Sequence, residues 1–124
     1  MNRGVSMNRF EKGRNAEDAA AGYLISQGFR ILERNFRWAG GEIDIIAEEQ
    51  GTLVFVEVRS RQSTSCGLPQ ETVNYSKQQQ VRKTAAFYLK IKGLWEKNCR
   101  FDVIGVLCNQ EGGIKATELI RDAF

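Results

Sequence analysis

The sequence predicts an α/β domain in the order α-β-β-β-α-β, with a central mixed sheet flanked by helices. Three observations predict it. Residues 11–27 place apolar side chains at helical steps. Residues 41–61 form two strand-like runs around a Gln-Gly pair. A second helical stripe at 76–91 then leads into another strand at 100–108. A hairpin-linked meander followed by a helical crossover gives a sheet with both antiparallel and parallel neighbours. At 124 residues the chain is long enough for one core. Residues 11–124 are expected to form that single domain, with 1–10 a flexible N-terminal tail.

Composition excludes several classes. The apolar fraction of 42% and charged fraction of 27% are those of a soluble globular protein. No apolar run reaches membrane-spanning length, and the first residues lack the apolar region of a signal peptide. The three cysteines, Cys66, Cys99 and Cys108, are scattered, and the chain has no histidine. That argues against a zinc site and any histidine-based triad, and for free thiols in a reducing cytoplasm. The net charge of +3 is unevenly spread. Arg3, Arg9, Lys12, Arg14, Arg30, Arg34 and Arg37 make the first third basic, as a phosphate-binding flank or an ordinary solvated surface would be.

In the first helix Ala16, Ala19, Ala20, Tyr23 and Leu24 form the buried stripe, Ile25 widens it, and Gly28 suits its stop. Glu17 lies close to that stripe. Phe29–Arg37 reads as the first strand, with Phe29, Ile31 and Phe36 inward and Arg30, Arg34 and Arg37 outward. Trp38-Ala39-Gly40-Gly41 loops into the hairpin. There Ile43, Ile45 and Ala47 precede the turn, Gly51 supplies positive φ, and Leu53–Arg59 is rich in β-branched and aromatic residues. Ser60–Tyr75 is expected to be a polar loop over the acidic face that moves when substrate binds. Asn74 or Ser76 caps the second helix, whose stripe is Val81, Ala85, Tyr88 and Leu89 and runs through Ile91. Residues 93–98 form a loop, Arg100–Cys108 a fourth strand, and Ile114–Phe124 a closing strand or helix. Asp102 in the fourth strand is expected to pair with an arginine.

Two acids interrupt the apolar hairpin: Asp44 and Glu57. A buried lone charge needs a partner or a metal. Alternation puts Glu57 and Arg59 on one face, and pairing around the turn brings Asp44 toward them. Two readings are open. The carboxylates hold a hard divalent cation such as Mg²⁺, or they face solvent from a half-exposed hairpin with Arg59 as their ion-pair partner.

The motifs G-E-I-D at 41–44 and F-V-E-V-R-S-R at 55–61 resemble the YraN-like family of uncharacterised bacterial proteins. So do Gly13 and Glu17, Arg34-Asn35-Phe36-Arg37, Gly67-Leu68-Pro69 and Arg100-Phe101-Asp102-Val103, an ordered set across residues 11–108. That family is similar to archaeal Holliday-junction resolvases and to restriction endonucleases with the PD-(D/E)xK motif. The resemblance implies a restriction-endonuclease-like core and a metal-dependent nuclease acting on DNA, including branched or repair intermediates. It implies that Asp44, Glu57 and the Val58 carbonyl ligate Mg²⁺ or Mn²⁺, with Glu17 assisting directly or through water. Arg59 occupies the position of the motif's lysine; an arginine stays protonated and stabilises charge without acting as a base. Arg34, Arg37, Arg61, Lys77 and Gln78 are the implied nucleic-acid contacts, with Lys77 and Gln78 offered from the second helix unless they are merely its solvated face. Resolvase relatives work as dimers, so a homodimer is compatible. A degenerate nucleic-acid-binding module and a protein-interaction domain are the alternatives.

Overall fold

The computed structural model describes residues 9–62 and 67–124. Most of the tail expected over 1–10 therefore lies outside the described residues. The chain runs α1 (Arg9–Ser26), β1 (Arg30–Trp38), β2 (Gly41–Glu49), β3 (Thr52–Arg61), a 3-10 turn (Pro69–Thr72), α2 (Tyr75–Lys92), β4 (Cys99–Cys108) and β5 (Ile114–Ile120). The five strands form one sheet in sequence order. β3 and β4 are parallel, and every other neighbouring pair is antiparallel. The mixed sheet and the α-β-β-β-α-β order are those expected, and the chain end left open resolves as a strand.

The turn fixes the register of the central hairpin. Gln50 and Gly51 have φ of 50° and 83°, the two left-handed residues that match strand twist in a two-residue hairpin. One sheet face buries Ile45, Ala47, Val54, Val56, Ile104 and Val106 under Ala16, Ala20 and Leu24 of α1. The other buries Ile43, Ile46, Leu53 and Phe55 under Val81, Ala85 and Tyr88 of α2. Trp38 fixes the start of the hairpin to α2. Its ring stacks on Phe87 with centroids 4.4 Å apart, and its Nε1 donates to Thr84 Oγ1 at 2.8 Å. Asn74 caps α2, accepting from the Lys77 amide at 2.9 Å.

The loop expected over 60–75 is more ordered at both ends. β3 continues through Arg61, and the described residues 67–75 include the turn Pro69–Thr72, whose Pro69 is buried. The polar sequence reads as a loop because a 3-10 turn has no hydrophobic period. Pro69 is seated on Gly105 of β4: a Cβ built at Gly105 lies 2.9 Å from Pro69 Cβ and overlaps its Cγ. Gly105→Ala is expected to destabilise the domain by about 1–3 kcal/mol through overpacking, read as a lowered urea midpoint at unchanged m-value. An unchanged midpoint would show that the turn is not seated there.

Candidate functional site

The β2–β3 ladder runs from Glu49↔Thr52 to Ile45↔Val56 and stops there. At the next level the Asp44 side chain takes the ladder's place: its Oδ2 accepts from the Val58 amide at 2.8 Å. The inside-outside alternation of β2 breaks at this residue, because Ile43 and Ile46 both join the α2-side core. Asp44 is thereby turned into the gap between the strands, while Glu57 keeps regular alternation and points toward α2.

Glu57 is only 2% exposed. Its Oε2 lies 3.7 Å from Lys77 Nζ and 4.0 Å from Arg59 Nη2. Its Oε1 is buried with no hydrogen-bond partner, as is Arg59 Nε. Burial, and then the neighbouring Asp44 charge, push the Glu57 carboxyl up to about 7 against the pull of Lys77 and Arg59. Burial likewise raises Asp44, opposed by the Val58 amide and helped by the charges of Glu17 and Glu42. A solvated hairpin face does not look like this, so the reading in which both acids face water is corrected.

Beside Asp44 opens a cleft of about 630 Å³, lined among others by Glu17, Arg34, Asn35, Arg37, Asp44 and Val58, while Glu57 stands on the α2 side of the strand against Lys77. A second opening of about 480 Å³ shares Arg37 and Glu42 with it and adds Lys77 and Gln80. Glu17 is half-buried at the first cleft, bonded by Arg34 and by Asn35 Nδ2. Arg34 also pairs with Asp18 at 2.6 Å. Arg37 pairs with Glu42 and stays well exposed. Arg61 donates to the Gly67 carbonyl. Gln78 turns back to the Val73 carbonyl at 2.9 Å, while Gln80 accepts from Lys77 Nζ at 2.9 Å.

The structure thus brings Arg59 and Lys77 to Glu57 with Asp44 as its neighbour, and places Asp44 with Glu17, Arg34 and Arg37 along the cleft. Arg61 and Gln78 make contacts with the chain itself. Gln80 and Asn35 were not singled out by sequence. Gln80 stands one helical turn from Lys77, the spacing at which side chains meet. Asn35 lies inside a quoted motif, but its contact with Glu17 depends on a backbone conformation that residue type alone does not reveal.

The donor set fits a hard divalent cation. It offers two adjacent carboxylates whose charged forms are disfavoured, a buried acceptor without a partner, and the Val58 carbonyl nearby. Among the described residues no group of three or more Asp, Glu or Cys side chains converges. The fitting ion is therefore one that accepts one or two carboxylates and completes its shell with water, as Mg²⁺ does. Lys77 is the nearer cation to Glu57. In metal-free protein Lys77→Met is expected to move the Glu57 titration above about 7, and further than Arg59→Met does, as followed by carboxyl carbon-13 NMR. A larger shift in Arg59→Met would reverse that order.

Fold and site define a mixed α/β domain with a buried glutamate and a half-buried aspartate at the open end of its central hairpin. The model of the uncharacterised protein family UPF0102 matches residues 16–106. A UPF0102 protein of Moorella thermoacetica is 43% identical over 120 residues, covering 97% of this chain and all of its own. One from Persephonella marina is 50% identical over 104 residues, 84% of this chain and 90% of its own, and one from Syntrophus aciditrophicus 50% over 112, 90% and 87%. The chain belongs to the UPF0102 family, the uncharacterised bacterial family that its motifs resemble. No helix among the described residues is long and apolar enough to cross a membrane.

Proposed function

We propose that this protein is a metal-dependent nuclease that hydrolyses DNA phosphodiesters at the Asp44–Glu57 pair. The observation that supports the reading most is Glu57 itself. A strand carboxylate is buried with one oxygen unpartnered, beside a second acid, Asp44, that lines an open cleft with arginines on its walls. Such an arrangement costs stability, and perturbed acids in a cleft mark functional sites. Asp44, Glu57 and the Val58 carbonyl would hold Mg²⁺ or Mn²⁺. The ion, when bound, would lower the pKa of a water and polarise a phosphoryl oxygen.

The chain's own groups divide the remaining work. Asp44 is aimed by the Val58 amide, which fixes its second oxygen. Lys77 and Arg59 flank Glu57 and offset the charge of an incoming phosphate. Arg37 presents an exposed guanidinium between the two openings, suited to a backbone phosphate. Arg34 lines the first opening and Arg61 ends β3, each with part of its donor capacity already engaged. Glu17 stands at the cleft wall to orient water. Cleavage of single-stranded, duplex, flap and four-way-junction DNA with Mn²⁺, with Mg²⁺ and with chelator tests the reading. Metal-dependent products lost in Glu57→Gln are expected; products that survive in that variant would refute it.

A second reading is favoured by one feature: Arg59 stands where the PD-(D/E)xK motif has lysine. In it the protein binds DNA without cutting. It expects retention that weakens steeply with salt, is indifferent to metal, and yields no product.

A further inference from the structure

The contacts on Glu17 have a geometry that a regular strand cannot produce. Consecutive strand residues point to opposite faces. Arg34 and Asn35 are consecutive in β1, yet both reach one atom. Arg34 Nη2 and Nε lie 3.1 and 3.3 Å from Glu17 Oε1, and Asn35 Nδ2 lies 2.8 Å from the same oxygen. Asn35 achieves this with φ of 56°, in the left-handed region. That conformation is uncommon outside glycine and is best tolerated by Asn and Asp.

The irregularity is placed at the site. Arg34 pairs with Ile45 and Phe36 with Ile43, so position 35 falls between them, level with Asp44. β1 and β2 therefore depart from regular geometry at the same level, one at Asn35 and the other at Asp44. Ion pairing alone gives little reason for it: Arg34 is 35% exposed against Glu17 at 16% and Asp18 at 59%, and pairs with one partner open to solvent add little to folding. Strained backbone next to a cleft is instead a recurrent mark of a functional constraint.

We propose that Asn35, with Arg34, is a positioning residue that fixes the Glu17 carboxylate at the cleft wall beside Asp44, where it acts through water on a divalent cation. This rests on reading the Asp44–Glu57 pair as a cation site. It also gives the Arg34-Asn35 dipeptide a task distinct from gripping DNA.

The test uses Asn35→Gly, which keeps access to the left-handed φ and removes only the amide. The native circular dichroism spectrum is expected to persist, with the thermal midpoint within a few degrees. Mn²⁺ affinity, measured calorimetrically without DNA, is expected to fall about tenfold, the scale typical of outer-sphere partners. Asn35→Asp, which aims a carboxylate at Glu17, is expected to lose more. In a Glu17→Gln background Asn35→Gly is expected to add no further loss, because the two act as one unit. Affinity within twofold of native in Asn35→Gly, or losses that add independently, would overturn the proposal. Collapse of the fold in Asn35→Gly would also overturn it, by assigning the residue a structural role. Native protein that binds no Mn²⁺ overturns the cation reading and this inference together; native Mn²⁺ binding that ignores Asn35→Gly overturns this inference alone.

Discussion

Glu57→Gln is expected to make the protein more stable at pH 8 while removing metal-dependent cleavage. The Glu57 carboxyl is pushed from 4.5 up to about 7 by burial and by Asp44. Its folded-state pKa lies above its unfolded value, so the folded state binds the proton more tightly. The contribution of this group to stability is complete below about pH 4.5 and is lost as pH rises through about 7. At pH 8 the native protein holds a charge that folding disfavours by about 3 kcal/mol, at roughly 1.4 kcal/mol per pKa unit. Glutamine has the shape of the protonated acid and no charge, so the variant is expected to gain about 2–3 kcal/mol at pH 8 and almost nothing at pH 4. Urea unfolding at the two pH values checks this. Equal midpoints for native and variant at pH 8 would mean that Glu57 is adequately solvated or paired. The gain has a functional counterpart, since sites that hold disfavoured charge commonly trade stability for activity. Mn²⁺ is expected to stabilise the native protein by mass action and to leave Glu57→Gln unmoved.

Asp102→Ala is expected to have the opposite sign and the largest effect on folding. Asp102 is fully buried. Its two oxygens accept from Arg100 Nε and Nη2 at 2.9 and 3.0 Å, and Oδ1 also accepts the Asp122 amide at 2.9 Å. Arg100 reaches on to Glu49 of β2 at 2.7 Å, and Glu49 pairs with Arg121 just past β5 at 2.8 Å. One carboxylate therefore anchors a chain of charges that ties β2, β4 and the end of β5 together. Removing it leaves a partly buried guanidinium with Glu49 as its remaining partner and an unsatisfied Asp122 amide. Loss of one partner of a buried ion pair costs about 3–5 kcal/mol, which for a domain of this size lowers the thermal midpoint by on the order of 10 °C. Asp102→Asn keeps an acceptor and is expected to lose roughly half as much. A shift in Asp102→Ala no larger than that of a surface substitution would show that Arg100 is held by Glu49 alone.

How much of this was legible in the sequence follows from the range of each interaction. The hairpin and the approach of Asp44 to Glu57 could be read directly, because strand alternation and a two-residue turn set the register locally. The pairing of Asp102 with an arginine was legible for the same reason, since Arg100 is two positions away on the same strand face. What alternation could not supply is its own failure. The break of β2 at Asp44, and the left-handed Asn35 beside it, depend on a ladder that ends early. The seat of Pro69 on Gly105 joins residues on separate elements, and the polar run around it carries no period. Lys77 could be placed on the first turn of a helix from its sequence, but its 3.7 Å distance to Glu57 required knowing which sheet face that helix covers.

The most direct measurement is calorimetric titration of metal-free protein with Mn²⁺ at pH 6 and pH 8, each in two buffers of different ionisation enthalpy. Binding between Asp44 and Glu57 must displace the proton held by a carboxyl of pKa about 7. One bound ion is expected, with about one proton released at pH 6, nearly none at pH 8, and weaker binding at the lower pH. Glu57→Gln is expected to bind no ion. Absence of Mn²⁺ binding by the native protein, or equal binding by native and Glu57→Gln, would contradict the assignment of this pair as a cation site.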